Sequence, residues 1–264
     1  MKLPITQVDA FADGPFSGNP AAVMPLDAWL DDATLLAIAA ENNLSETAFL
    51  VRDASGAADY ELRWFTPGTE AAMCGHATLA SGHVLLGADP ALARVRFRTR
   101  KAGVLEVARD GSGYVLTLPA WVPSPQPLPK LIAALGLAGA VETLWHPQRY
   151  AVIVLGDAAA VRAVTPDFRA LAAEGDVLTI VTAPGDDSDI VSRAFAPGSG
   201  IDEDPVTGSA HAVVVPYWAK RLGRDTLTAY QASARGGRLG CQLDGDRVIL
   251  SGRCVTVLEG SFFL

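Results

Sequence analysis

Two short motifs in this sequence put a glycine beside a polar residue just where a helix is expected to begin: Cys74-Gly75-His76 and Thr207-Gly208-Ser209. The first N–H groups of a helix have no partner within it, and the helix dipole adds partial positive charge at that end. Glycine there lets a ligand come close to the backbone. Two such ends facing one cleft would hold a small carboxylate, or an enolate-like species that gains negative charge as a proton leaves carbon. The same spacing suits glycines that only permit tight turns, and spacing alone leaves both uses open.

Groups able to move that proton stand nearby in sequence. Glu46 follows the polar stretch Glu41-Asn42-Asn43-Leu44-Ser45 and opens an apolar run. Lost hydration favours a neutral carboxyl there, which suits a general acid or base; the alternative is an ordinary surface glutamate. Asp202-Glu203-Asp204-Pro205 sets three acids before Thr207. They suit helix capping, and Asp204, fixed by the proline after it, also suits a proton carrier. His76 can donate a hydrogen bond or carry a proton, whereas His211 is expected to be a satisfied core histidine. Ser209 suits a cap or a substrate contact. A serine hydrolase is disfavoured, because Thr207-Gly208-Ser209-Ala210-His211 lacks the second glycine of a nucleophile elbow.

The elements that must position these groups can be read from periodicity. Strands are expected at Thr6–Phe11, Tyr60–Phe65, 94–100, 103–109, 113–118, 150–155, 177–182 and 190–196, with a strand meander from Thr226 to Phe263. Residues 44–51 read as a loop running into a strand. Helices are expected at about Asp31–Asn42, 130–136 and 157–171. Two more, His76–Leu86 and about Ser209–Leu222, are apolar or small on every side and are expected to be buried. The run Arg94–Lys101 alternates basic with apolar residues and reads as a strand with one solvated face.

One module occurs twice. Leu62-Arg63-Trp64-Phe65-Thr66-Pro67-Gly68, a turn and Cys74-Gly75-His76-Ala77 lead into the first buried helix. Ser192-Arg193-Ala194-Phe195-Ala196-Pro197-Gly198, a turn three residues longer and Thr207-Gly208-Ser209-Ala210 lead into the second. The shared Arg-x-Phe-x-Pro-Gly carries the match and points to internal duplication. Five prolines between Pro119 and Pro129 suit an extended connector. The expected organisation is an N-terminal lobe over 1–118, completed by a strand at about 255–264, a connector over 119–129 and a C-terminal lobe over 130–254.

Composition narrows the partners. Of 264 residues, 50% are hydrophobic, enough to bury a large core, and the net charge is −8 with scattered basic residues. Acidity of this kind argues against nucleic acid as a partner. No uninterrupted apolar stretch of about 18 residues marks a membrane span, and Met1–Thr6 has no signal-peptide run. Three widely separated cysteines suit a reducing, cytoplasmic setting. Four histidines without HxxxH or CxxC spacing argue against a structural zinc site.

At Val8-Asp9-Ala10-Phe11, Phe16–Val23, Asn43–Phe49, Arg63–Pro67, Cys74–Thr78, Glu203–His211, Gln231–Ser233, Arg235–Gly237 and Leu250–Gly252, the sequence resembles the phenazine-biosynthesis-like (PhzF-type) isomerase family of the diaminopimelate-epimerase-like superfamily. The motifs run in family order over nearly the whole chain; the connector and about 130–175 carry little. The resemblance implies an α+β fold of two pseudo-symmetric lobes, each a curved, mostly antiparallel sheet around a central helix. It implies a cofactor-free, metal-free isomerase, commonly a homodimer, acting on a small carboxylate-bearing substrate. Glu46 would be the acid/base, with Asp204 assisting and His76 in the cleft. Gly75, Gly208, Ser209, Asn19, Thr207 and Cys74 would line the substrate site. Superfamily racemases use two thiols, one from each half. Here Thr207 stands where a second thiol would be, so a two-thiol racemase is disfavoured. An epimerase or dehydratase with Cys74 as its base, and a binding protein without chemistry, remain the alternatives.

Overall fold

In the computed structural model, which describes residues 1–138 and 142–264, the chain opens on a strand, β1 (Lys2–Ala10), and falls into two compact units. Met1–Leu118 and Ser251–Leu264 form the first unit; Pro119–Leu250 form the second. Strands and helices mix in both, giving an α+β architecture.

The first unit continues with β2 (Asn19–Pro25), α1 (Asp32–Asn42), β3 (Glu46–Arg52), β4 (Tyr60–Phe65), the two-residue β5 (Glu70–Ala71), α2 (Gly75–Ala88), β6 (Arg94–Thr99), β7 (Val104–Asp110) and β8 (Gly113–Pro119). Pairing alternates: β1 is antiparallel to β2, β2 parallel to β3, β3 antiparallel to β4, β4 parallel to β6 and β6 antiparallel to β7. Each parallel step needs a crossover, and α1 and α2 supply them. Asp31 caps α1 by accepting the Thr34 N–H at 2.9 Å. Asn43, left-handed at φ 48°, ends it and turns the chain so that Glu46 opens β3. α2, apolar on nearly every face, packs against β1, β2, β3, β6 and β7. Strands far apart in the sheet order touch the same helix, so the sheet curls around it. In β6 the buried Val95, Phe97 and Thr99 alternate with outward arginines, as the sequence period requires. On the other side, Leu35, Ile38 and Ala39 of α1 join Leu3, Met24, Phe49 and Phe65 in a separate apolar cluster.

The second unit contains β9 (Ser124–Pro125), α3 (Pro129–Ala134), β10 (Glu142–His146), β11 (Tyr150–Val154), α4 (Ala158–Ala163), α5 (Phe168–Ala173), β12 (Leu178–Pro184), β13 (Ile190–Ala196), β14 (Ile201–Asp204), α6 (Gly208–Leu222), β15 (Thr226–Gln231), β16 (Gly237–Asp244) and β17 (Arg247–Gly252). Its pairings repeat the alternation: β10 antiparallel to β11, β11 parallel to β12, β12 antiparallel to β13, β13 parallel to β15 and β15 antiparallel to β16. α6 packs against β11, β12, β15 and β16. The last strand, β18 (Cys254–Phe263), belongs to the first unit and runs antiparallel to the whole of β1, with a bulge between Gln7 and Val8.

The structure departs from sequence expectation in three places. The helix expected over 157–171 is two short helices, because Pro166 cannot continue a helix and the residue before it favours extended backbone. The proline-rich stretch 119–129 belongs to the second unit rather than lying free: Ser124 and Pro125 pair with β10, and the Trp121 N–H donates to the Ala212 carbonyl at 2.9 Å. The three acids 202–204 are not one cluster. In β14, whose pairing with β13 is irregular, Asp202 is exposed, Glu203 is tied to Arg193 and Asp204 is buried. No helix among the described residues is long and apolar enough to cross a membrane.

Candidate active site

The repeated Arg-x-Phe has a mechanical job in each unit. Arg63 grips Glu70 through two hydrogen bonds, Nε to Oε1 at 2.8 Å and Nη2 to Oε2 at 2.9 Å, with its guanidinium 4.9 Å from the Phe65 ring centre. Arg193 grips Glu203 with the same two distances and lies 5.0 Å from the Phe195 ring. Bidentate, partly desolvated pairs of this kind fix geometry better than surface ion pairs. Each clamp anchors the turn that delivers the chain to a buried helix.

In the first unit that turn ends at Cys74, the N-cap residue of α2, whose side chain caps no N–H there. The helix starts at Gly75, so its first donors point away from the helix body. Around this end the structure gathers Asn19, Glu46, Cys74 and His76, all buried. Asn19 opens β2 immediately after Gly18, whose φ of +69° and close approach to the Ala10 carbonyl (a Cβ would lie 2.3 Å from that oxygen) leave no room for a side chain. Glu46 opens β3, level with Ala21 of the parallel β2. His76 Nε2 lies 3.0 Å from Glu46 Oε2, a close ion-pair contact that falls short of good hydrogen-bond alignment. His76 Nδ1 lies 3.0 Å from Asn19 Nδ2 and 3.5 Å from Cys74 Sγ.

This setting fixes the protonation of two members. Burial opposes a charged His76, but the Cys74 sulfur and the Glu46 carboxylate outweigh it and raise His76 well above its usual range. Burial, reinforced by Glu46, pushes the Cys74 thiol up to about 11, with His76 opposing. Cys74 is therefore held as a thiol beside His76, whose charged form the cluster favours.

In the second unit α6 begins at Gly208 after Thr207, again without a side-chain cap. The Thr207 hydroxyl instead donates to Asp204 Oδ2 at 2.5 Å. Gln231, at the end of β15 and fully buried, binds both: its Oε1 accepts the Thr207 N–H at 2.8 Å, and its Nε2 donates to the Asp204 carbonyl at 2.7 Å and to Thr207 Oγ1 at 3.1 Å. Ser209, the second residue of α6, is buried. His211 corrects the expectation of a satisfied core histidine. Its Nδ1 pairs with the Thr207 carbonyl at 2.8 Å, but its buried Nε2 has no hydrogen-bond partner, and burial pushes its pKa down to about 4. Sequence reasoning gave Gln231 no role. A glutamine at a strand end carries no signal of its own, since its work depends on the loop that folds over it.

Comparison with known proteins places this geometry. The profile of the phenazine biosynthesis-like (PhzC/PhzF) proteins matches residues 8–260. The chain belongs to the phenazine biosynthesis-like family. An uncharacterized isomerase of Pseudomonas aeruginosa is 51% identical over the full length of both chains. A crystal structure of a PhzF-family protein from Enterococcus faecalis is 45% identical and superposes with a TM-score of 0.90, covering all of both chains. A hydroxyproline epimerase from Agrobacterium vitis, only 12% identical, shares the fold alone, with a TM-score of 0.68 over 98% of this chain and 92% of its own. The family thus has relatives named as isomerases and a fold it shares with epimerases.

Proposed function

We propose that the protein is an isomerase that moves a proton on a small carboxylate-bearing metabolite without a cofactor. Glu46 takes the proton from carbon and returns it at another position. His76 steadies the Glu46 carboxylate, and the substrate's negative charge is held at the Gly75–His76 helix end, for which Gly208–Ser209 is the matching motif of the second unit. Asp204 assists reprotonation, and Asn19, Thr207 and Cys74 line the substrate site. The observation that carries this reading is the buried Glu46–His76 pair at 3.0 Å: it sets a carboxylate beside a cation at the open end of a helix. The recurrent pairing order and the paired Arg clamps support an internal duplication as the origin of the two units. A cytoplasmic homodimer is part of the same proposal.

The alternative with Cys74 as base is less favoured, because a thiol raised to about 11 is almost entirely protonated at neutral pH. Solvent-deuterium exchange into small carboxylates, after a thermal-shift screen for ligands, tests the proposal. Exchange is expected with the intact protein and absent in Glu46→Gln, while Cys74→Ala keeps measurable exchange. Full exchange in Glu46→Gln removes Glu46 from the role, and loss confined to Cys74→Ala transfers it to the thiol. Ligand binding without any exchange would mark a binding protein.

A further inference from the structure

Glu46, Cys74 and His76 offer one oxygen, one sulfur and one nitrogen, all within 4.8 Å of one another. We propose that this cluster binds a single Zn2+ ion, and that the bound ion stops proton transfer. The donor set suits a borderline-soft cation: thiolate, imidazole and carboxylate are the zinc ligands of proteins. The spacing suits it as well. With zinc bonds of about 2.3 Å to sulfur and about 2.0–2.2 Å to nitrogen and oxygen, a tetrahedron has edges of about 3.4 Å between N and O and about 3.6 Å between S and N. The structure holds Nε2 3.0 Å from Oε2 and 4.0 Å from Sγ. These two edges need to change by only a few tenths of an ångström, and the sulfur and the carboxylate oxygen lie within 4.8 Å of each other.

Charge balance permits the ion. On coordination the Cys74 thiol gives its proton to solvent and its sulfur electron pair to zinc, and Nε2 likewise binds through a lone pair after releasing its proton. Thiolate and carboxylate then balance the two positive charges, so the buried site carries no net charge with the ion bound. Ligated through Nε2, His76 keeps a proton on Nδ1, and the Asn19 side-chain amide, whose nitrogen lies 3.0 Å from that atom, has to turn its oxygen toward Nδ1 to accept it. Three protein ligands leave the fourth position open, the pattern of reactive rather than structural zinc sites. The donors come from β3, the turn before α2 and α2 itself, which is why HxxxH or CxxC spacing does not reveal them.

Binding is independent of the proposed function; only the inhibition rests on Glu46 as the base. The experiment titrates Co2+ and then Zn2+ into the reduced, chelator-treated full chain without substrate. One Co2+ per chain is expected, with tetrahedral visible bands and a thiolate-to-cobalt charge-transfer band, and Zn2+ displaces it. Cys74→Ala loses the charge-transfer band although Cys241 and Cys254 remain. Glu46→Gln, which spares the thiol, keeps the band but binds at least ~10-fold more weakly, and it serves if Cys74→Ala does not fold by circular dichroism. No uptake by the intact chain, an octahedral spectrum without a thiolate band, or a band surviving in folded Cys74→Ala overturns the site. Where exchange activity is present, stoichiometric Zn2+ should abolish it and a chelator should restore it. Undiminished exchange in the zinc-loaded protein overturns the inhibition and leaves the binding result standing.

Discussion

Replacing Glu46 by Gln removes one negative charge from a buried cluster while keeping its volume, so its first effect should appear on His76. In the intact protein burial opposes the imidazolium, and the Cys74 sulfur and Glu46 together overcome that opposition. Cys74 is the first of these supports and Glu46 the second, so removing the carboxylate takes away one of the two groups that raise His76. The protein contains its own reference for burial without a carboxylate: His211, equally enclosed, is held at about 4. From the ordinary 6.5 to about 4 is a net cost of about 3 kcal/mol, burial less the opposing Thr207 hydrogen bond, at ~1.4 kcal/mol per pKa unit. Glu46 and its neighbours must supply more than this to raise His76, and without the carboxylate His76 should drop toward the value of His211. The assay is a two-dimensional imidazole 15N–1H spectrum over pH. The intact protein should show His76 cationic at pH 7; Glu46→Gln should show it neutral there, titrating only in acid. A His76 that stays cationic at pH 7 in the variant, or is neutral at pH 7 in the intact protein, refutes the claimed coupling.

The pH dependence of stability should carry a separate signature of His211. Its folded pKa lies below its unfolded value, so the unfolded chain takes up a proton first as pH falls from 6.5 to about 4, and stability is lost across that window, by up to about 3 kcal/mol. Urea titrations at several pH values should give a shallower slope there for His211→Gln. Gly82→Ala sets a methyl 2.3 Å from Val107 Cγ1; overpacking of about 1–3 kcal/mol opposes a helix-propensity gain of about 1 kcal/mol, and the melting temperature should fall by a few degrees. Gln231→Leu strands the Thr207 N–H and removes one partner of the Asp204 carbonyl inside the second unit, at a cost of roughly 1–3 kcal/mol measured by chemical denaturation.

Sequence alone determined a good deal about this protein. Period-2 alternation located β6, β7 and β8, whose buried and outward side chains alternate. Mostly small and apolar residues marked α2 and α6 as buried, and the repeated Arg-x-Phe-x-Pro-Gly pointed to two similar units. Glu46, His76 and the glycine-led turns could be picked out because family motifs surround them. The partnerships among these groups were decided only by tertiary structure. Asp202, Glu203 and Asp204 are adjacent in sequence, yet the fold sends them to solvent, to Arg193 and to Thr207. Gln231 became a positioning residue only because a chain segment 24 residues earlier folds against it. The matched motifs Cys74-Gly75-His76 and Thr207-Gly208-Ser209 likewise diverge in three dimensions. One histidine gains a carboxylate at 3.0 Å and is raised, while the other is buried without one and lowered. Protonation depends on distance and burial, and neither is a property of residue order.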